Sequence, residues 1–453
     1  MEERLIATLD LGSSRIVLTV AKITGEDIQI LYYKGLPSEG IRNSAVFNPQ
    51  KASVPIKNII ADAEKELGIK IKQVVLGLPR CNVRQEMGQA SAERANPDDS
   101  ITREEIEALK TLAQREYPHL DHDSEAIYCS VAQSFSDDEN FQLIENDIIG
   151  VISQNVEGHF KLLIGKKNAI RTIEKIFGDA GIGIAAKYFS PLSQAKAVLT
   201  DDEISSGVAL MDIGAEAASV AVYQGRIMRH FASIPFGGRS ITTDIKNECF
   251  ISEKLAENIK LAYGACMPEK LQTLGEKTLQ IEGDETENNK QIPVKYLSEI
   301  ITARVKEIVE ALLYEIQQSG LADSLRCGLV LTGGCANLTN IAMFVRDLSG
   351  YSVRTGYPRR RFSASGCPGI MDPEATTSLG LILSAKEDGI KGCTTAPAAA
   401  VKEETPQPEN TSSEVNDEQI EETPAVPAFR KLSWKRFLGK LDERVREMGN
   451  ENI

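Results

Sequence analysis

No two cysteines of this chain sit at metal-ligand spacing. All eight (Cys81, Cys129, Cys249, Cys266, Cys327, Cys335, Cys367 and Cys393) are scattered singly. A zinc site or a disulfide framework would show paired spacing, so reduced, mostly buried thiols are expected. Long apolar runs are missing as well. None approaches the ~18–20 residues that a membrane-spanning helix needs, so any membrane contact is expected to be peripheral. The start, Met1-Glu2-Glu3-Arg4, carries acids and runs straight into a strand-like stretch, so no signal peptide is expected. Positive charge is in deficit, with a net charge of −14, which argues against nucleic acid as a partner.

What is present is ample for folding. Hydrophobic residues make up 42% and charged residues 26% of 453 positions, more than one ordinary domain requires. Strand-like and helix-like stretches alternate up to about residue 390, the pattern of an α/β protein. From 391 to 428 the chain turns to Pro, Glu, Thr and Ala, with too little apolar surface to offset ordering entropy; a disordered acidic linker is predicted there. From 429 to 453 it becomes basic, aromatic and helical in pattern.

Within the body, two segments echo each other. Residues 5–21 read LIATLDLGSSRIVLTVA and residues 208–223 read VALMDIGAEAASVAVY. Each is a strand ending in Asp-x-Gly, a turn of small residues and a return strand, so each predicts a hairpin whose tip offers backbone N–H groups and a carboxylate. A third glycine-bearing strand end, GLVLTGGCAN at 328–337, precedes a predicted helix over 338–348. Turn N–H groups at Gly12, Ser13, Ser14, Gly214 and Ala215 form an anion nest of the kind phosphate takes. Asp10 and Asp212 supply the hard oxygens that Mg2+ prefers, through water, and Arg15 is within reach of a phosphate. Gly333 and Gly334, with Asn337 beyond them, let a flat base or ribose approach the backbone. One such turn is merely a hairpin tip; two, with a later Thr-Gly-Gly, point to one site.

The trio resembles the two phosphate motifs and the adenosine motif of the actin, sugar-kinase and heat-shock-chaperone superfamily. The helical stretch SEKLAENIKLAYG at 252–264 resembles the ribose-contacting helix, which implies that Glu257 and Lys260 lie near the sugar. Their i, i+3 spacing puts both on one face, although a surface ion pair would use the same spacing. Within the superfamily, VVLGLP at 74–79, SITTDIKNEC at 240–249 and the long segment between the two hairpins resemble the bacterial FtsA family of cell-division proteins.

That resemblance implies an actin-like (ribonuclease H-like) bilobed α/β fold. Subdomain 1A would take 1–82 with 183–204 and about 375–390, and the inserted subdomain 1C 83–182. Subdomain 2A would take 205–239 and 321–374, and 2B 240–320. It also implies ATP as ligand, self-assembly into filaments, binding of the FtsZ C-terminal peptide through Arg304 and Lys295, and recruitment of later divisome proteins. The place of action would be the cytoplasmic face of the membrane at the division septum.

The second loop departs from the family's Asp-Ile-Gly-Gly-Gly-Thr. Here Ala215, Glu216 and Ala217 follow Gly214, so a hydroxyl is lost and a negative charge gained. Facing a phosphate at ~4 Å, that charge would cost about 4 kcal/mol at an effective dielectric near 20. Where hydrolytic members place a Glu, Gln or Asp, the segment YFSPLSQAKAVL at 188–199 offers Ser190, with Gln194 one turn on. Slow or absent hydrolysis is expected.

The tail reads independently. On a helix of about 100° per residue, Trp434, Phe437, Leu438, Leu441, Val445 and Met448 share one stripe, and Lys435, Arg436 and Lys440 lie outside it. This suits an interfacial helix on anionic lipid. One such helix holds weakly, but many on a filament hold strongly, and a linker of ~37 residues reaches ~35 Å. Two other readings use the same fold: a sugar or acyl kinase, and an FtsA-like pilus-assembly adaptor. Neither has use for the linker and lipid-seeking helix.

Overall fold

The computed structural model describes residues 3–281, 290–359 and 362–395. The predicted linker and tail, with Trp434, Lys435, Arg436, Phe437, Leu438 and Leu441, lie outside the described residues.

Two sheets share one topology. In the first, Asp27–Pro37 pairs antiparallel with Arg15–Thr24 and that strand with Glu3–Leu11; Gln73–Leu78 and then Gly183–Phe189 follow in parallel, and Ser363–Ala364 closes the other edge. In the second, Ile227–Ile234, Ala218–Gln224 and Val208–Ile213 make the antiparallel half, and Leu329–Thr332 and Val353–Thr355 the parallel half. Each sheet thus repeats the order 3-2-1-4-5, and the two Asp-x-Gly hairpins are the matching strands 1 and 2. Helices cover both faces of the first sheet: Pro49–Leu67 packs on the hairpin strands from one side, Thr376–Glu387 from the other. Strands buried on both faces lose the polar alternation of a half-exposed sheet, and Val208–Ile213 is buried at every position.

Helices Ser190–Val198 and Thr376–Glu387 cross in close contact, joined by Ser193 Oγ and Ser384 Oγ at 2.9 Å. Gly380 permits the approach, since a Cβ there would stand 2.0 Å from the Ser193 carbonyl oxygen.

Between strands Gln73–Leu78 and Gly183–Phe189 of the first sheet the chain inserts a three-stranded antiparallel sheet, Arg84–Glu93, Asn155–Lys166 and Glu125–Ser136, with its own core around Phe135 and Phe160. Helix Arg103–Glu116 covers it and opens with a capping box, Thr102 and Glu105 exchanging side-chain and backbone bonds. Thr102→Ala is expected to cost about 1 kcal/mol, read as a lowered urea midpoint at constant slope.

In the second lobe, Gly238–Cys249 and the long helix Val294–Gln318 pack together. The latter buries Leu297, Ile301, Val305, Ile308, Leu312 and Ile316 along one stripe. Strands Thr278–Ile281 and Lys290–Pro293 form a separate antiparallel hairpin. The helix expected over 338–348 is present as Ile341–Ser349, starting three residues later after Asn340, its N-cap, in the left-handed conformation at φ 64°; a 3-10 turn, Gly334–Asn337, precedes it. Among the described residues no helix is long and apolar enough to cross a membrane.

Candidate nucleotide cleft

Strand Glu3–Leu11 delivers Asp10 and strand Val208–Ile213 delivers Asp212, each one or two residues before its hairpin turn. The two carboxylates feel each other. Burial pushes the Asp10 carboxyl up to about 6; Arg80 opposes that rise, Asp212 adds to it and Arg15 opposes it more weakly. Asp212 is the more deeply covered, at 3% exposure.

Arg80 stands between them. It follows strand Gln73–Leu78, the neighbour of Asp10's strand, and its Nη1 pairs with Asp212 Oδ2 across the lobes. Its Nη2 donates to the Ala217 carbonyl at 3.1 Å. Gly214 makes room for it: a Cβ there would lie 2.4 Å from Nη2. Gln194 Nε2 also donates to Asp212 Oδ2, at 2.8 Å, and to Thr376 and Thr377 at 3.1 and 3.2 Å. Gln194 is 3% exposed, so it packs in the interior rather than facing solvent. The other carboxylate oxygen, Oδ1, is buried and receives no hydrogen bond. It abuts Gly333, whose φ of 83° and lack of a Cβ are both required, since a Cβ would fall 2.2 Å from Oδ1.

The first turn is held from outside. Ser13 Oγ accepts from Ser44 N–H at 2.9 Å, and the Ser14 carbonyl from Ser38 N–H at 2.9 Å. Gly12 is needed because a Cβ would lie 2.7 Å from the Arg15 carbonyl oxygen. Arg15 is bound to Glu374 at 2.9 Å and donates to Tyr33 Oη at 3.3 Å, so its guanidinium is tied to a carboxylate before any phosphate arrives.

In the second turn, the carbonyls of Gly214 and Ala215 accept from Gly238 and Arg239 N–H at 2.9 and 2.7 Å, which docks the turn on the start of helix Gly238–Cys249. The Glu216 carboxylate takes Arg239 at 3.0 Å and the Asn43 N–H at 2.9 Å. Its charge is therefore offset by Arg239, not by Arg15.

On the far side, Lys260 and Glu257 pair at 2.7 Å on helix Glu253–Tyr263. Lys260 also donates to the Gly238 carbonyl and Thr242 Oγ1, at 3.0 and 2.9 Å, so most of its donors are committed. Cys335 sits against the same place, its thiol donating to the Gly214 carbonyl at 3.7 Å and pushed up to about 11 by burial, with Lys260 opposing the rise. Gly334 and Asn337 are exposed beside it. The structure thus gathers Asp10, the Ser13 turn, Asp212, Gly214 and Gly333 around one cleft, with Glu257 and Lys260 bordering Gly238. Arg304 and Lys295 lie apart on helix Val294–Gln318: Arg304 is bidentate to Asp244 at 2.5 and 3.0 Å and takes Glu307 at 2.6 Å, and Lys295 is exposed.

The profile of the family described as cell division protein FtsA matches residues 209–380, the stretch that carries the second hairpin, the Thr-Gly-Gly turn and the start of helix Thr376–Glu387. Relatives of that same description cover far more. The Neisseria meningitidis serogroup B protein is 29% identical over 85% of this chain and 91% of its own length. Those of Streptococcus pneumoniae and Bacillus subtilis are 28% and 26% identical over 78% and 83% of this chain, and 75% and 82% of theirs. Over most of its length the chain is thus similar to proteins of the FtsA family.

Two solved structures share the fold. A PilM–PilN type IV pilus biogenesis complex superposes at a TM-score of 0.59, with 15% identity over 84% of this chain and 98% of that one. MreB5 of Spiroplasma citri bound to ADP gives 0.52, with 14% identity over 85% and 97%. The expected actin-like α/β fold is therefore the observed one, and the likeness to FtsA proteins supports a role in cell division.

Sequence reasoning missed Arg80, Asn43, Ser44, Arg239 and Glu374. The quoted family-like stretch VVLGLP stops one residue before Arg80. The expected Mg2+ meets an obstacle of this chain's own: one oxygen of Asp212 is taken by Arg80 and Gln194, and the other is sealed against Gly333. As they stand, these residues do not fit a bound divalent cation.

Proposed function

We propose that this protein is the nucleotide-binding, membrane-tethered partner of the division ring. It holds a nucleotide between the Asp10 and Asp212 hairpins, with the base against Gly333, Gly334 and Asn337. It assembles into filaments, binds the acidic-apolar C-terminal peptide of FtsZ and attaches to anionic lipid through residues 429–453. In this reading the division into subdomains follows the sheets: the six-stranded sheet is 1A, the inserted three-stranded sheet 1C, the five-stranded sheet 2A, and the region around helix Val294–Gln318 2B.

The observation that supports it most is the meeting of two matched hairpin tips and a left-handed glycine in one cleft, on a chain similar to FtsA proteins. The MreB5 neighbour, solved with ADP, makes nucleotide the natural occupant of such a cleft. Hydrolysis should be slow or absent. Ser190, at the place of a catalytic acid or amide, donates its hydroxyl to the Leu78 carbonyl at 2.9 Å, and the Gln194 amide is committed to Asp212, Thr376 and Thr377. For the FtsZ peptide, Arg304 would exchange the exposed Glu307 for a peptide carboxylate while keeping Asp244, with Lys295 adding charge. Recruitment of later divisome proteins follows from a filament held at the septal membrane.

Co-sedimentation with anionic liposomes tests the anchor. The full chain should pellet, and a truncation before Phe429 and the Trp434→Glu variant should stay in solution. ATP should strengthen pelleting only through assembly. Pelleting of the truncated chain would overturn the anchor.

A further inference from the structure

We propose that Arg80 is the resident cation of the nucleotide cleft, standing between Asp10 and Asp212 where a divalent ion would otherwise be needed, so that this chain takes nucleotide without Mg2+. The inference rests on the nucleotide reading given above and deepens it.

The geometry is that of a built site. Arg80 leaves the end of strand Gln73–Leu78, beside the strand that carries Asp10, and crosses to Asp212 on the other sheet. Its side chain is 13% exposed and that of Asp212 5%, so the pair is shielded from competing water and salt. The second nitrogen is fixed by the Ala217 carbonyl at 3.1 Å, inside the altered part of the second loop. Gly214 leaves only enough room for that nitrogen. Arg80 also acts on Asp10, being the strongest favourable charge near it. One guanidinium therefore pairs with Asp212 and favours the charged form of Asp10.

The remaining charge of the cleft is balanced from within as well. Glu216, the acid gained by the second loop, is taken up by Arg239 and the Asn43 N–H. A hydrated Mg2+ could reach Asp212 only by expelling Arg80, because Oδ1 lies behind Gly333 and Oδ2 is occupied. Mg2+ requires near-octahedral oxygen and keeps several waters, which a site closed by a guanidinium and a glycine backbone does not provide. What a cation does for a nucleotide here is neutralise phosphate charge beside two carboxylates. A fixed guanidinium supplies that positive charge from its place on Asp212.

The test uses the full chain, Arg80→Met and Arg80→Lys, in two arms. In the first, melting temperature is read with millimolar Mg2+ alone and with EDTA. Wild type and Arg80→Lys should be indifferent. Arg80→Met, with Asp10 and Asp212 left facing each other, should gain about 2 °C or more from Mg2+. In the second, a fluorescent ADP analogue is titrated under both conditions. Wild-type affinity should stay within about twofold, and Arg80→Met should weaken about tenfold when Mg2+ is withdrawn.

An Mg2+-dependent rise in the wild-type melting temperature would overturn the proposal. So would an Arg80→Met chain that is indifferent to Mg2+, or insoluble with and without it. Absence of nucleotide binding by every protein in both buffers would sink the nucleotide reading. The Mg2+-only arm would still decide the role of Arg80.

Discussion

Gly380→Ala should lower the stability of the body by about 3 kcal/mol, even though alanine is the better helix former by about 1 kcal/mol in an open helix. The glycine lies in the interior of Thr376–Glu387, where its missing side chain is what lets that helix touch Ser190–Val198. A Cβ there would meet the Ser193 oxygen at 2.0 Å, the Ser193 carbonyl carbon at 2.3 Å and the Gln194 nitrogen at 2.8 Å. All three are backbone atoms, so no rotamer change relieves them and the helices must part.

Parting them reaches the cleft. Gln194, on one helix, holds Asp212 and is itself held by Thr376 and Thr377 at the start of the other. Urea unfolding checks the prediction: a lower midpoint at unchanged slope is expected. A midpoint equal to or above wild type would mean that the crossing is looser than drawn.

How much of this was legible in the sequence differs from element to element. The two Asp-x-Gly echoes foretold the two matched hairpins because each is a local pattern: an apolar run, a turn of small residues and a second apolar run. Helix Glu253–Tyr263 falls within the stretch read as helical, 252–264, and its cap, Ser252, is local chemistry. The surroundings of Glu216 were not. Its partner Asn43 lies 173 positions away and offers only a backbone N–H, which every residue type carries. Arg80 is 132 positions from Asp212, and nothing in its own neighbourhood distinguishes it from a surface arginine after a strand.

The partners of Gln194 were hidden for a related reason: only the crossing helix brings Thr376 and Thr377 to it. The helix expected over 338–348 starts three residues late because its N-cap, Asn340, takes the left-handed conformation. Periodicity and turn chemistry thus fix elements. Which distant side chains complete a cleft between two sheets is decided by tertiary placement alone.

Asp212→Ala should be the most disruptive change within the cleft, at about 3 kcal/mol or more, because it strands what it was holding. Arg80 would keep the Ala217 carbonyl and the distant field of Asp10 but lose its ion pair, and the Gln194 amide would keep only two hydroxyls. A buried pair is worth less than breaking it costs: taking both charges out of water nearly cancels their attraction, whereas leaving one behind retains the full desolvation penalty. The double variant Arg80→Met, Asp212→Ala is therefore expected to be more stable than Asp212→Ala alone, and far more stable than the summed losses of the two single variants. A coupling energy of about 2 kcal/mol in a denaturation cycle is the expected reading. Asp10 adds a second signature. Asp212 is one of the groups holding its carboxyl up, so removing Asp212 should let Asp10 ionise more readily while Arg80 remains. If the single losses simply add, Arg80 and Asp212 do not act as a pair, and the two lobes are held together by something other than the charge between them.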